Sequence, residues 1–461
     1  MINKTCSFSL VFVAITYLIA CNHESPPQQN SHTTSATPKV IAIKGGLVKT
    51  MWMGDIDGAT ILIKDGIISA VGKDVSIPNE AQTIDARGKI IIPGMIDSNT
   101  RIGLVEIDAV NMTVDADEGV DPITPHVSVV DAINPDSTLI PVNRIEGITT
   151  VIVAPGEGNL ISGTSALINL DGRLVSDMII KSPLAMHINL GNPPKDRYSS
   201  KNILQTRMGL VAKAREILTK AREYLNKKET YQKRTTEYKA DLGKWQKTGG
   251  KNEKGEEKKK PDEPTPPDTD VKLEALLPVI KGELPVVIRA HRLDDIHTAI
   301  RLADEFKLKL IISHATEGYK IAKDIAERKI PVIIGPINTQ PDNFETLGAT
   351  YENAVILAKA GIKIAIQTND SHNVRNLPFM AGLAVAYGLD REEALRAITI
   401  NPAEIFSVAD KVGSIRPGAY ANLVICTDDP FQPRNRIEHV FIKGKDIELR
   451  SRQTELYEKY K

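Results

Sequence analysis

The sequence predicts an α/β fold, with a TIM-like (β/α)8 barrel in the middle of the chain and β-rich segments at both ends. Short apolar runs at 286–290, 309–313 and 332–335 alternate with amphipathic helical patterns, which is typical of parallel βα units. Alternating strand patterns separated by glycines occupy 40–87 and return at 413–447. With 461 residues, the chain is long enough for a large barrel and a smaller domain.

The overall composition argues against a nucleic-acid-binding protein. The 58 basic and 58 acidic residues balance, so no net charge draws the chain to nucleic acid or to anionic membranes. Aromatic residues make up only 5%, too few to favour a surface on which bases stack. We therefore expect a small molecule, and no nucleic acid, as the partner.

The first 20 residues are predicted to be a lipoprotein signal peptide. Lys4 supplies a positive charge, and an apolar run at 7–20 is of signal-peptide length and short for a membrane span. The run ends Leu18-Ile19-Ala20-Cys21, which resembles a bacterial lipoprotein processing site. That resemblance implies export and a lipid on Cys21. A plain secretory signal is the alternative.

The residue after the processing site indicates which membrane holds the anchor. Asn22 stands where Asp would favour retention at the inner membrane, so we expect the periplasmic side of the outer membrane. Residues 21–38 are rich in Ser, Thr, Pro and Gln and are predicted to form a disordered tether. Cys426 is then the cysteine left for the folded domain, and its apolar surroundings predict a small core residue.

The middle of the chain supplies close to the number of strands that a (β/α)8 barrel needs. The predicted strands are 90–96, 149–153, 166–168, 186–190, 286–290, 309–313, 332–335 and 362–367, with helices at 294–306, 318–326, 351–360 and 391–399. A charged insertion at about 208–270 interrupts the barrel. It starts as a helix and continues in a Lys/Glu/Pro run that predicts a mobile surface loop or a partner-docking arm.

The stretch 89–105, KIIIPGMIDSNTRIGLV, carries a specific motif. It resembles the first barrel strand of the amidohydrolase superfamily, in the branch of imidazolonepropionase-like and prolidase-like proteins. The pattern there is P-G-x-I-D-x-H-x-H, and Pro93, Gly94, Ile96 and Asp97 match its frame. The two histidine positions, which hold the catalytic metal in the family, carry Asn99 and Arg101.

Two further stretches resemble the same family. Asn401-Pro402-Ala403 matches the N-P-A before the return to the terminal domain, and 147–153 resembles the second barrel strand. Gly156-Glu157-Gly158-Asn159 follows that strand and is too irregular for a dinucleotide or P-loop motif. The resemblance implies a barrel at 89–408 beside one small β-sandwich, built from 39–88 and 409–461. Two unrelated hairpins are the alternative.

The candidate site residues lie at the carboxyl ends of predicted strands, where barrels of this kind carry their chemistry. By the resemblance, Asp370 occupies the position of the family's proton-transferring aspartate, His314 a metal-ligand position, and Arg289 another, with His291 two residues further on. His187 ends the fourth strand. His314 as a core histidine and Asp370 as a structural residue remain alternatives.

The family's mechanism needs a divalent metal, and an arginine cannot hold one because it is always protonated and has no lone pair. We therefore predict no bound metal. Arg101 and Arg289 would replace its charge and bind Asp370. If the site is instead rebuilt for zinc or another divalent ion, the ligands would be His187, His291, His314 and Asp370.

Three functions follow from these residues. The first is a divergent hydrolase of amide, cyclic-amide or dipeptide C–N bonds, with Asp370, His314 and His291 as catalytic residues. The second is a non-catalytic relative that binds a small ligand or partners an active homologue, or another copy of itself. The third is a surface-anchored structural protein. The residues leave catalytic competence open.

Overall fold

The computed structural model describes residues 40–461. The signal peptide, Cys21 and the tether lie outside the described residues, so their assignments stay predictions. Within 40–461, no helix combines the length and the apolar character that crossing a membrane requires.

The described chain alternates strands and helices over most of its length. The strands are β1 Val40–Lys49, β2 Asp55–Lys64, β3 Ile67–Gly72, β4 Gln82–Asp85, β5 Ile90–Pro93, β6 Met95–Thr100, β7 Ile148–Val153, β8 Ile161–Thr164, β9 Ala166–Asn169, β10 Ile179–Lys181, β11 Met186–Asn189, β12 Val286–Ala290, β13 Leu310–His314, β14 Val332–Ile334, β15 Ile364–Ile366, β16 Leu423–Cys426, β17 Ile437–Ile442 and β18 Lys445–Asp446. The α-helices are α1 Leu139–Arg144, α2 Val175–Met178, α3 Asn192–Ser199, α4 Arg207–Lys247, α5 Val271–Ile280, α6 Leu293–Phe306, α7 Ala322–Glu327, α8 Asn353–Lys359, α9 Leu377–Ala386, α10 Arg391–Ala397, α11 Ile400–Ile405 and α12 Arg452–Tyr460.

The two end segments of the described chain form one sheet. Its order is β18-β17-β16-β5-β1-β2-β3, and β4 pairs with β1. The joining ladder is antiparallel between β16 and β5, with Leu423 opposite Pro93 and Cys426 opposite Ile90. The expected pairing between strands from the two ends of the folded chain is thus confirmed, and two unrelated hairpins are excluded. Cys426 is buried, as its apolar neighbours predict.

The barrel strands form two sheets, in the orders β10-β9-β7-β6 and β15-β14-β13-β12-β11-β8, and the segment 161–169 contributes β9 to the first and β8 to the second. The third position differs from a regular βα barrel. The segment 161–169 runs antiparallel to both neighbours, pairing through β9 with β7 and through β8 with β11. The expectation of a parallel third strand is therefore wrong. Only a short loop joins β7 to this segment. Because parallel neighbours need a long crossover connection, usually a helix, the segment runs antiparallel to β7.

The predicted first barrel strand, 90–96, is two strands. Residues 90–93 belong to the terminal sheet, and the barrel begins at Met95. Gly94 lies between them, where a Cβ atom would stand 2.1 Å from the Thr149 hydroxyl oxygen. A continuous apolar run does not reveal such a change of sheet, because both strands are buried.

Asp97 joins the first and last barrel strands. Its buried carboxylate accepts hydrogen bonds from the backbone N–H of Thr368, from the Thr368 hydroxyl and from the Asn99 N–H. A parallel bridge between Thr100 and Asp370 adds to the contact. Burial raises the pKa of Asp97 to about 7, because the charged form loses water.

The insertion is more regular than the sequence predicts. The helix α4 is the one that the sequence predicts at the start of the insertion, and it extends to Lys247. The following chain returns along it: the Trp245 indole donates to the Lys258 carbonyl, and a cavity lies between Tyr231 and Pro264. Pro261, Pro264 and Pro267, spaced by three, are all half-buried. This spacing suits an extended chain whose every third residue meets the helix.

We predict that Asp97→Asn changes how stability depends on pH. Folded Asp97 holds a proton up to about pH 7, whereas an unfolded aspartate loses it near pH 4. This residue therefore lowers stability as pH rises between those values. The variant should gain about 2–3 kcal/mol relative to wild type between pH 5 and pH 8, measured by urea unfolding.

The exposed Asp136 provides the matched control. For Asp136→Asn, the difference from wild type in the free energy of unfolding should not change between pH 5 and pH 8. An Asp97→Asn difference that is equally constant would show that the buried carboxyl titrates normally.

Candidate functional site

The carboxyl ends of the barrel strands bring the predicted site residues to one region. Asn99 and Arg101 end or follow β6, Arg289 and His291 lie at the end of β12, and His314 ends β13. His314 and the next residue, Ala315, have φ values of 71° and 45°. Left-handed backbone at two consecutive non-glycine residues is costly, and such strain is typical of functional sites.

Glu157 is at the centre of this region. One carboxylate oxygen, Oε1, accepts from Arg101 at 3.1 Å and from the Asn369 amide at 2.9 Å, and lies 3.3 Å from His314 Nε2. The other, Oε2, is 2.6 Å from Arg289 Nε. Burial alone would raise the pKa of Glu157, but the charge of Arg289, the hydrogen bond from His314 and the charge of Arg101 hold it well below its usual value. Glu157 is therefore a carboxylate at neutral pH.

Arg289 links Glu157 to a second carboxylate, Glu345. The guanidinium donates through Nη2 to Glu345 at 3.0 Å and through Nη1 to the Leu190 carbonyl at 3.1 Å. It is almost fully buried, and although burial lowers its pKa, the two carboxylates raise it overall. Arg289 is thus a permanent cation that donates hydrogen bonds through Nη1 and Nη2, while its Nε lies in ion-pair contact with Glu157 without the geometry of a hydrogen bond.

Glu345 in turn fixes the loop at 336–352 over this side of the barrel. Its other oxygen accepts from the Asn192 N–H at 2.7 Å and from Arg207 at 3.4 Å. A Cβ atom on Gly191 would lie 2.0 Å from that oxygen, so only glycine leaves room for the carboxylate. Arg207 also binds Asp295, which extends the ion-pair network to α6.

The predicted pairing of Asp370 with the two arginines is wrong. Among residues 40–461, the Asp370 carboxylate accepts from the backbone of Ser371, His372 and Asn373 and from the Asn373 side chain, and it forms no ion pair with Arg101 or Arg289. Burial raises its pKa, but these hydrogen bonds outweigh burial and lower it. The arginines instead meet Glu157, because its loop projects between them.

The three predicted histidines are buried and poorly suited to carrying a charge. Burial lowers the pKa of His187 to about 4, that of His291 well below its usual value, and that of His314 less strongly. His291 and His314 lie together, with ring centroids 4.5 Å apart. Within the described chain, Nε2 of His187 and Nε2 of His291 have no hydrogen-bond partner.

These residues do not fit a divalent metal. The two imidazole nitrogens without a hydrogen-bond partner are the atoms that could serve as ligands of a divalent metal. However, no three His, Cys, Asp or Glu side chains among residues 40–461 are grouped so as to hold an ion. The Arg289 guanidinium lies against the Glu157 carboxylate that would be needed as a ligand, and its charge would repel a dication.

Sequence reasoning missed Glu157, Glu345 and Arg207. Glu157 lies in the glycine loop after β7, whose sequence resembles the family's glycine loop and excludes a nucleotide-binding motif but does not point to a site carboxylate. A carboxylate just beyond the end of a barrel strand could have indicated this site residue, because the loops at the carboxyl ends of the strands form the site of a barrel. Glu345 and Arg207 lie in a loop and at the start of an insertion, where no strand pattern indicates their position.

Comparisons with known proteins agree with this architecture. Residues 279–447 match the family described as "Amidohydrolase family". The crystal structure of an amidohydrolase from Thermotoga maritima MSB8 is 33% identical, with a TM-score of 0.78, and the match covers 89% of this chain and 100% of that one.

Two curated relatives match less of their own length. Amidohydrolase tasK of Hapsidospora irregularis is 23% identical over 423 residues, which are 87% of this chain and 40% of that protein. Dihydropyrimidinase-related protein 5 of Homo sapiens is 45% identical over 60 residues, which are 13% of this chain and 10% of that protein. The chain thus spans two fifths or less of the length of these relatives.

We predict that Glu157 and Arg289 are strongly coupled in stability. Removing either partner leaves the other buried without its counter-charge, so Glu157→Gln and Arg289→Met should each cost about 3 kcal/mol. The double variant should cost at least about 1 kcal/mol less than the sum. Urea unfolding of the four proteins measures this coupling.

The exposed pair Lys363–Glu404 is the matched control. Its cycle should give a coupling below about 1 kcal/mol, as exposed ion pairs do. Additive effects at Glu157 and Arg289 would contradict the interaction described above.

Proposed function

The chain belongs to the amidohydrolase family, and from this premise we propose that it is a non-hydrolytic member that binds a small polar molecule at the carboxyl end of its barrel. Family membership suggests hydrolysis of C–N bonds. The observation that carries the proposal is that both arginines, at positions where the family pattern has metal-binding histidines, are bound to Glu157.

In the described part of the chain, four titratable side chains of the site are poorly suited to activating water in place of a metal. A general base works best with a pKa near the working pH. Glu157 and Asp370 both have lowered pKa values, so each is a weaker base than an ordinary carboxylate. The lowered values of His187 and His291 make these imidazoles weak bases as well.

Several polar groups at the barrel end remain accessible to a ligand. Arg101 and Asp370 keep 24% and 29% of their side-chain surface exposed. Asn99 and Asn369 are half-buried between them and bind each other. A guanidinium, a carboxylate and two amides suit a molecule that carries both hydrogen-bond donors and acceptors, such as an amide.

A metal-independent hydrolase is the second candidate, and the adjacent His291 and His314 favour it. His314 contacts Glu157 through Nε2, an arrangement in which a carboxylate orients an imidazole. In that case hydrolysis would depend on His291, His314 and Asp370.

We predict less than about 0.1 equivalent of zinc or manganese per chain after growth with both metals, and no turnover of a panel of amides, cyclic amides and dipeptides. A zinc hydrolase purified in parallel checks that the procedure retains metal. Panel compounds that bind should lose affinity in Arg101→Gln, which removes an accessible donor.

Two results would contradict the proposal. Near-stoichiometric metal would show that the histidines ligate after all. Metal-free turnover that is lost in His291→Gln and Asp370→Asn would favour the second candidate.

The sequence also supports a proposal about location. We propose that the chain is exported and held on a bacterial membrane by lipid on Cys21, on the periplasmic side of the outer membrane. The support is the charged start, the apolar run and the L-I-A-C sequence. The same proposal gives the chain a protein partner there, either an active homologue or another copy of itself.

We predict that Cys21→Ser moves the expressed protein from the membrane fraction to the soluble periplasmic fraction, because the lipid has no other attachment. Fractionation followed by immunoblotting measures the change, and Cys426→Ser is the control that should remain with the membrane. A wild-type protein in the soluble fraction would exclude the anchor.

A further inference from the structure

A second cavity lies outside the barrel end, between α4 and α6. It has a volume of about 390 Å³, within the size range of small-molecule sites. Arg207, Met208, Val211 and Arg215 line it from α4, and Asp294, Asp295, Thr298 and Arg301 from α6, while Leu190, Gly191 and Leu210 complete the wall. We call it the α4–α6 cavity.

Two arginines of this cavity keep donors without a hydrogen-bond acceptor among residues 40–461: Arg301 entirely, and Arg215 at its Nη groups. Both aspartates already have partners, since Asp295 accepts from Arg207 Nε at 3.1 Å and Asp294 pairs with Arg292 at 3.2 Å. Arg215 binds Glu305 through Nε. Arg301 is exposed and takes part in none of the ion pairs found among residues 40–461. The unmatched charge in the lining is therefore positive.

The two arginines, Arg215 and Arg301, belong to α4 and α6, which line opposite sides of the cavity. The lining also contains a hydroxyl group and apolar side chains. Thr298 and Arg301 are three residues apart on α6, so they share one face of that helix. On the α4 side, Met208 is 79% exposed and stands next to Val211 in the lining. Guanidinium groups bind carboxylates and phosphates through paired hydrogen bonds, and the apolar side chains suit a short hydrocarbon group.

We propose that the α4–α6 cavity binds a small organic anion, whose carboxylate or phosphate is held by Arg301 and Arg215 and whose apolar part contacts Met208 and Val211. This site is separate from the one at the barrel end. The two are connected through two residues that line the cavity: Arg207 donates to Glu345, and Gly191 leaves room for the Glu345 carboxylate. A ligand in the cavity would therefore lie beside Arg207, which holds the Glu345 carboxylate of the loop at 336–352.

Calorimetric titration of the full chain at low ionic strength tests the proposal, with isovalerate and inorganic phosphate as probes. We expect saturable isovalerate binding that weakens at least tenfold in Arg301→Gln and in Arg215→Gln. Arg234→Gln is the matched control: it changes an exposed arginine on the same helix, 19 residues from Arg215, and should bind as wild type does. Thermal unfolding checks that each variant folds.

The pattern across the two probes identifies the chemistry. Isovalerate binding that Met208→Ser also weakens supports a ligand with an apolar part. Phosphate binding that depends on Arg301, without isovalerate binding, supports an anion site but overturns the apolar contact. Failure of both probes to bind, or binding unchanged in Arg301→Gln, overturns the site. Each of these results is independent of metal content and of hydrolysis at the barrel end.

Discussion

The ion pairs of Glu157 with Arg101 and Arg289 determine how the barrel end is built. Three strand ends and the Asn369 loop deliver groups to this one carboxylate, and Arg289 carries the interaction on to Glu345. Without Glu157, the buried Arg289 would lose one counter-charge while the partly exposed Arg101 adds a second positive charge to the same region, and like charges repel. The carboxylate therefore does for this region what a cation does for a cluster of acidic ligands, with the signs reversed.

This arrangement explains why a catalytic framework can persist without a fitting metal site. Buried ion pairs add little net stability, yet losing one partner is costly, because the other charge is left buried and unpaired. The network here runs from Arg101 to Asp295 through two glutamates and two arginines. It anchors the loop at 336–352 and the start of α4, which together shape both the barrel end and the α4–α6 cavity.

The sequence predicted the architecture well, because that part depends on local patterns. Apolar runs and amphipathic spacing identified most strands and the helices α6, α8 and α10, and the motif around Asp97 indicated the family. The change of sheet at Gly94 and the antiparallel segment 161–169 were missed. Both depend on which strand lies alongside, and the spacing of apolar residues along the sequence does not report such long-range pairing.

The site was predicted only in part for a similar reason. The residues at strand ends were identified, because their position follows from the barrel, whereas the replacement of a metal's charge by the arginines stays a prediction. Their partner was assigned to Asp370 by analogy with the family. The structure gives that role to Glu157, whose loop position follows from chain geometry rather than from a strand pattern. Loops such as those at 156–159 and 336–352 decide the chemistry of a barrel.

The most direct measurement is anomalous diffraction at the zinc edge from crystals soaked in zinc. The account predicts Glu157 between the two guanidinium groups and no anomalous peak within reach of His187, His291, His314 or Asp370. A peak about 2.0–2.2 Å from two or more of these side chains, with Arg289 displaced from Glu157, would contradict it.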